Sequence, residues 1–123
     1  MQFNLENDGG LTLIDRYTAD SVTIRGETYC ESVIVFPDRL IDNWQVRSLD
    51  ALSVAALQPV IEARPEVILL GTGATQQFPD VTLLRELARH QVSIDVMDNG
   101  AGCRTYNVLA SEFRAVALAL ILG

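Results

Sequence analysis

The chain has 123 residues, of which 49% are hydrophobic and 16 are acidic, against nine arginines and no lysine, for a net charge of −7. That length fits one domain of roughly 100–150 residues spanning 1–123, with enough apolar material for a core that needs no metal or disulfide. A surface this acidic repels nucleic-acid phosphates, and the missing lysine removes Walker-type phosphate loops, pyridoxal Schiff bases and amine nucleophiles.

The first half reads as a strand meander. Leu11-Thr12-Leu13-Ile14, Ser21-Val22-Thr23-Ile24-Arg25 and Ser32-Val33-Ile34-Val35-Phe36 are β-branched segments split by polar and glycine clusters. Gly26-Glu27 reads as the hairpin turn, with glycine at the first central position of a type II′ turn, and Pro37-Asp38 closes the block. Trp44-Gln45-Val46 is a short segment that reads as an edge strand.

From Ser53 the period changes. Val54, Leu57 and Ile61 follow helical spacing between a Ser53 cap and the Arg64-Pro65 stop. Val67-Ile68-Leu69-Leu70 is an apolar run suited to a parallel strand covered on both faces. Pro79 and Asp80 introduce a helix carrying Val81, Leu84, Leu87 and Ala88. Val92 to Met97 is the next strand, broken by Asp98-Asn99-Gly100-Ala101-Gly102, and Arg104 to Leu122 reads as a long helix. A meander followed by β-α-β-α implies right-handed βαβ crossover and an α/β sandwich.

In such sheets ligands bind beyond the carboxyl ends of the parallel strands, where two glycine-rich loops should meet. The candidate ligand-binding residues are Gly71, Thr72, Gly73, Asp98, Gly100, Gly102, Cys103, Arg104, Thr105 and Asn107. Small residues admit a close backbone approach, helix-start N–H groups favour anions, and Arg104 adds a planar donor fork, so a small anion is the ligand class the physics favours. Gly71-Thr72-Gly73 also occurs in ordinary tight turns. A helix start and an adjacent cation would lower the Cys103 thiol pKa, which makes Cys103 the one weak catalytic candidate, and its alternative is a small buried apolar residue. Asp95 and Asp98 face opposite sides of a strand, and Asp98 reads as the cap of the turn that follows. His90 lies near the end of its helix, away from this pole, where it complements the helix dipole.

No complete catalytic constellation emerges, the enzyme question leans to no, and neither a metal nor a cofactor is expected, since one histidine and two cysteines make no zinc pattern. Met1 to Asp8 lacks the features of a signal or transit peptide, and the longest apolar run, Ala115–Leu122, is too short for a span of roughly 17–25 residues. The expectation is a cytoplasmic chain with two free thiols at Cys30 and Cys103.

Leu69-Leu70-Gly71-Thr72-Gly73, then Gln77-Phe78-Pro79, then Val96-Met97-Asp98-Asn99-Gly100-Ala101-Gly102-Cys103-Arg104-Thr105-Tyr106-Asn107 together resemble the Mth-type family of uncharacterised domains. That family includes mitochondrial complex I assembly factor three and the adipogenesis-associated Mth-type domain protein. The resemblance covers nearly the whole chain and implies a three-layer α/β sandwich with a mixed central β-sheet. Where the family has Asp-Thr-Gly-Ala-Ala, this chain reads Asp98-Asn99-Gly100-Ala101-Gly102, so the threonine hydroxyl is absent. The lack of a presequence points to a bacterial member. The resemblance implies a binding or assembly-factor-like domain whose partner is a protein, by analogy a respiratory or membrane-complex subunit. Because two-fold dimers are the commonest soluble assembly, a homodimer is the default expectation. The alternative is a small anionic-ligand protein, or an enzyme using Cys103.

Overall fold

The computed structural model describes residues 10–122. The elements run β1 (Arg16–Tyr17), β2 (Val22–Ile24), β3 (Glu27–Tyr29), β4 (Val33–Phe36), β5 (Arg39–Ile41), a 3-10 turn (Leu49–Ala51), α1 (Gln58–Ala63), β6 (Val67–Gly71), α2 (Val81–Arg89), β7 (Asp95–Met97), α3 (Asn99–Ser111) and β8 (Val116–Leu120). Strands β1-β2-β3 form a small antiparallel sheet, and the main sheet has the order β5-β4-β8-β6-β7. β6 is parallel to both β7 and β8, while β4 is antiparallel to β5 and β8. The N-terminal meander and the α/β sandwich are those the sequence pattern implies, and the mixed central sheet is the one the family resemblance implies.

The crossovers explain the layers. The path from β6 to β7 steps outward, and the path from β7 to β8 steps back across β6. Two right-handed crossovers in opposite directions place α2 and α3 on opposite faces of the sheet. One face packs Ile34, Ile68, Leu70, Ala117 and Ala119 against Val60 of α1 and Leu83 and Leu87 of α2. The other packs Val33, Val35, Leu69, Val116 and Leu118 against Val22 and Ile24 of the small sheet and Cys103, Tyr106 and Ala110 of α3.

The C-terminal segment differs from expectation. Arg104 to Leu122 is not one helix, because α3 ends at Ser111 and Val116–Leu120 is the middle strand of the sheet. Its residues alternate strictly between the two cores, with Val116, Leu118 and Leu120 on one side and Ala117, Ala119 and Ile121 on the other. A strand covered on both faces must be apolar at every position, and such a run carries no period that distinguishes it from a buried helix. The chain turns between α3 and β8 at Phe113, which has a left-handed φ of 61°.

Other departures are local. The first hairpin turns at Arg25-Gly26 and not at Gly26-Glu27, since Ile24 pairs with Glu27. Both central residues have positive φ, 53° and 81°, as a type I′ turn requires. Leu11–Ile14 lies outside the ladders, and Pro37-Asp38 is the two-residue turn into β5, a strand the pattern did not announce. Trp44-Gln45-Val46 is irregular; Trp44 is buried, and its Nε1 donates to the Ala56 carbonyl at 2.9 Å. Ser53 caps a turn by accepting from the Ala56 N–H, and α1 starts only at Gln58. Asp80 stands just before α2 and accepts from the Thr82 N–H at 2.8 Å, so Pro79 lies outside the helix.

A closed pole at the ends of the parallel strands

Strands β6 and β7 finish side by side, with Gly71 paired to Met97, so the two glycine-containing segments do meet. The second is not a loop. Asp98 is the N-cap of α3, its Oδ1 accepting from the Ala101 N–H at 2.9 Å, and Asn99 to Gly102 already form the first helical turn. The sequence reading missed this start because two glycines in four residues resemble a linker.

Asn99 organises the junction. It is 2% exposed, and every polar group it carries toward the loop is engaged. Its N–H donates to the Gly73 carbonyl at 2.8 Å and its Oδ1 accepts from the Gly73 N–H at 2.9 Å, while Nδ2 donates to the Ile121 carbonyl at 2.9 Å beyond β8. One side chain therefore ties the ends of β6 and β8 to the start of α3. Gly71 leaves room for it, since a Cβ there would lie 2.5 Å from Asn99 Oδ1. Gly102 lets the helix lie close to the sheet, because a Cβ there would meet Leu118 Cδ1 at 3.2 Å and the Gly71 Cα at 3.9 Å. Asn99 belongs to the site although the sequence reading left it out. The signal for it was its place between the aspartate cap and the first helical glycine.

Thr72 completes the closure. Its N–H donates to the Met97 carbonyl at 3.0 Å, its hydroxyl donates to the Thr75 carbonyl at 2.8 Å, and the same oxygen accepts from the Gln77 N–H at 3.0 Å. Gln76 reaches over to the Val96 carbonyl at 2.9 Å. The N–H groups of Asn99, Ala101 and Gly102 are all spent within the protein, that of Gly102 on the Asp98 carbonyl.

The remaining candidates point elsewhere. Cys103 is 1% exposed in the core beneath α3, and burial pushes its thiol pKa up to about 12, outweighing the lowering effect of the Arg104 charge. The lowered thiol pKa expected at a helix start is therefore not found. Arg104 lies on the outer surface, where Nη1 donates to the Tyr17 hydroxyl across Gly100. Thr105 is half-buried on α3. Asn107 grips the N-terminal segment in both directions, donating to the Ile14 carbonyl and accepting from the Ile14 N–H, each at 2.8 Å. One residue earlier, the buried Tyr106 hydroxyl donates to the Thr12 carbonyl at 2.6 Å. His90 sits at the opposite pole, at the end of α2. Among the described residues no three His, Cys, Asp or Glu side chains gather as a metal site, and no helix is long and apolar enough to cross a membrane.

Against known proteins, a family described as proteins of unknown function (DUF498/DUF598) matches residues 14–121. The NADH dehydrogenase (ubiquinone) 1 alpha subcomplex assembly factor 3 of Danio rerio is 34% identical over 112 residues, covering 89% of this chain but only 64% of the relative's length. The 13 kDa major membrane protein of Francisella tularensis subsp. holarctica is 29% identical over 89 residues, 72% of this chain and 68% of that one. A Xanthomonas campestris protein solved by NMR superimposes with a TM-score of 0.83 at 38% identity, covering 100% of this chain and 93% of that one.

Proposed function

The chain belongs to the DUF498/DUF598 family, which includes complex I assembly factor 3, and from that premise we propose that it is a non-enzymatic, protein-binding domain of the assembly-factor kind. The observation that carries the reading is the engagement of Asn99 with Gly73 and Ile121. At the pole where an open α/β sheet ordinarily takes a small ligand, Thr72, Gly73 and Asn99 spend their hydrogen bonds within the protein, and the neighbouring thiol is buried and held neutral. The glycines and polar residues of the two motifs thus serve to join strand ends to a helix start.

A contact surface is available elsewhere. Phe113 is 82% exposed at the lip of a cleft of about 350 Å³ bordered by Phe36, Pro37, Pro65 and Val116, with the Arg39 guanidinium 4.0 Å over the Phe36 ring. Exposed aromatics beside apolar clefts, flanked by arginine, are the composition of binding hot spots. The partner is a protein, a subunit of a respiratory or other membrane complex, met on the cytoplasmic side of a bacterial membrane. A relative named as a membrane protein fits work beside such a complex.

The test is genetic and biochemical. In the source organism, deleting the gene should reduce assembled NADH dehydrogenase on native gels of solubilised membranes. The wild-type chain should restore it, and Phe113→Asp, folded by circular dichroism, should not. Normal amounts of assembled complex in the deletion strain would overturn the reading.

A further inference from the structure

Independently of that function, we propose that Asn99-Gly100 is a deamidation site held shut by the fold, so that opening of the first turn of α3 is recorded as an irreversible covalent change. It is the chain's single Asn-Gly pair. Asparagine followed by glycine is the pair most prone to cyclise, because glycine puts no side chain in the way of its own backbone nitrogen. That nitrogen loses its proton and attacks Asn99 Cγ; the new N–Cγ bond closes a succinimide, the Cγ–Nδ2 bond breaks and ammonia leaves. Water then opens the ring at either carbonyl, giving aspartate or isoaspartate at position 99.

The native structure opposes each step. Asn99 is 2% exposed, so water has no access to Cγ. Its Oδ1 and Nδ2 are both hydrogen-bonded, so turning the amide to close the ring gives up those bonds. Gly100 lies in the helix, whose dihedral angles turn its nitrogen away from the preceding Cγ. These protections depend on one contact set and are lost together when that set is broken.

The change is also one that the fold does not readily accept back. Aspartate at 99 brings an acceptor against the Ile121 carbonyl where Nδ2 donated, and isoaspartate adds a backbone atom to the first turn of α3. Opening therefore converts the residue that ties β6, β8 and α3 together into one that holds them apart.

The experiment incubates the protein side by side in buffer and in unfolding urea at pH 8, then follows the tryptic peptide of residues 90–104 by mass spectrometry. Asn99 should convert in urea and stay intact in buffer, and Asn43, which precedes Trp44, should convert many-fold more slowly than Asn99 in urea. After removal of urea, the converted fraction should be the fraction that fails to regain native structure. Gly100→Ala separates the chemistry from the contacts. Its Cβ would come within 3.1 Å only of Arg104 Nη1 and Tyr17 Cε1, the movable ends of two surface side chains, while Asn99 is kept. That variant should convert several-fold more slowly in urea and refold after the same incubation. Equal conversion of Asn99 in buffer and urea, conversion no faster than at Asn43, or full refolding of converted chains would each overturn the proposal.

Discussion

Gly73 and Asn99 are joined by a reciprocal pair of hydrogen bonds, the backbone N–H of Asn99 to the Gly73 carbonyl at 2.8 Å and the Gly73 N–H to the Asn99 side-chain oxygen at 2.9 Å. Twenty-six residues apart in the chain, they turn the loop after β6 and the start of α3 into one unit. Asn99→Ala leaves the Gly73 N–H and the Ile121 carbonyl without partners and should cost about 1–3 kcal/mol for each group left buried and unpaired. Gly71→Ala should cost about 1–3 kcal/mol by overpacking against the same oxygen. Urea denaturation of both single variants and the double variant checks this: the two losses should be clearly less than additive, because the clash disappears with the asparagine.

Cys103 should resist alkylation in the folded protein while the exposed Cys30 reacts at once, and both should react in urea. The folded-state thiol pKa is raised from 9.0 to about 12 by burial. Above the unfolded pKa the unfolded chain loses a proton that the native chain keeps, so stability must fall as pH rises. The contribution is complete below about pH 9 and lost as pH rises toward 12. Tyr106, its hydroxyl also raised by burial, acts in the same direction. Denaturation midpoints measured across this range should decline, and Cys103→Ala should flatten part of the decline.

Arg104→Ala should change stability by less than about 1 kcal/mol, because its guanidinium meets Tyr17 at the surface with 6.0 Å from its centre to the ring centroid. Thermal melts of the variant and wild type give the comparison.

Three residues outside glycine hold left-handed φ at or just beyond helix ends: Arg64 after α1, Gln91 after α2 and Phe113 after α3, at 51°, 61° and 61°. Glycine is the residue such positions favour, by about 1 kcal/mol. Phe113→Gly should therefore leave the fold as stable or up to about 1 kcal/mol more stable while weakening restoration of the assembled complex. A gain in melting temperature with unchanged complementation would remove Phe113 from the contact surface.

Those same left-handed residues explain what was illegible in the sequence. β6 is an apolar run between a proline and a glycine, and α2 has an aspartate cap and a clear period, so both could be read directly. The boundary between α3 and β8 carries neither glycine nor proline, and Phe113 turns the chain where composition gives no sign of it. Val116 to Ile121 is apolar at every position and rich in leucine and alanine, whose helix preference is overridden by pairing between β4 and β6. The junction of the two segments was legible as a place, but not the way it is filled. The glycines at 71, 73, 100 and 102 marked where two segments approach, and only the position of Asn99 shows that the approach is filled by the protein itself.

The most direct measurement is native-state hydrogen exchange at the Gly73 amide. In the wild-type protein this N–H, although it lies in a loop, should exchange as slowly as the amides of β6, and Asn99→Ala should speed it to the rate of an open loop. A Gly73 amide that exchanges freely in the wild type would contradict a pole closed by Asn99 and return the two glycine segments to the status of an open binding site.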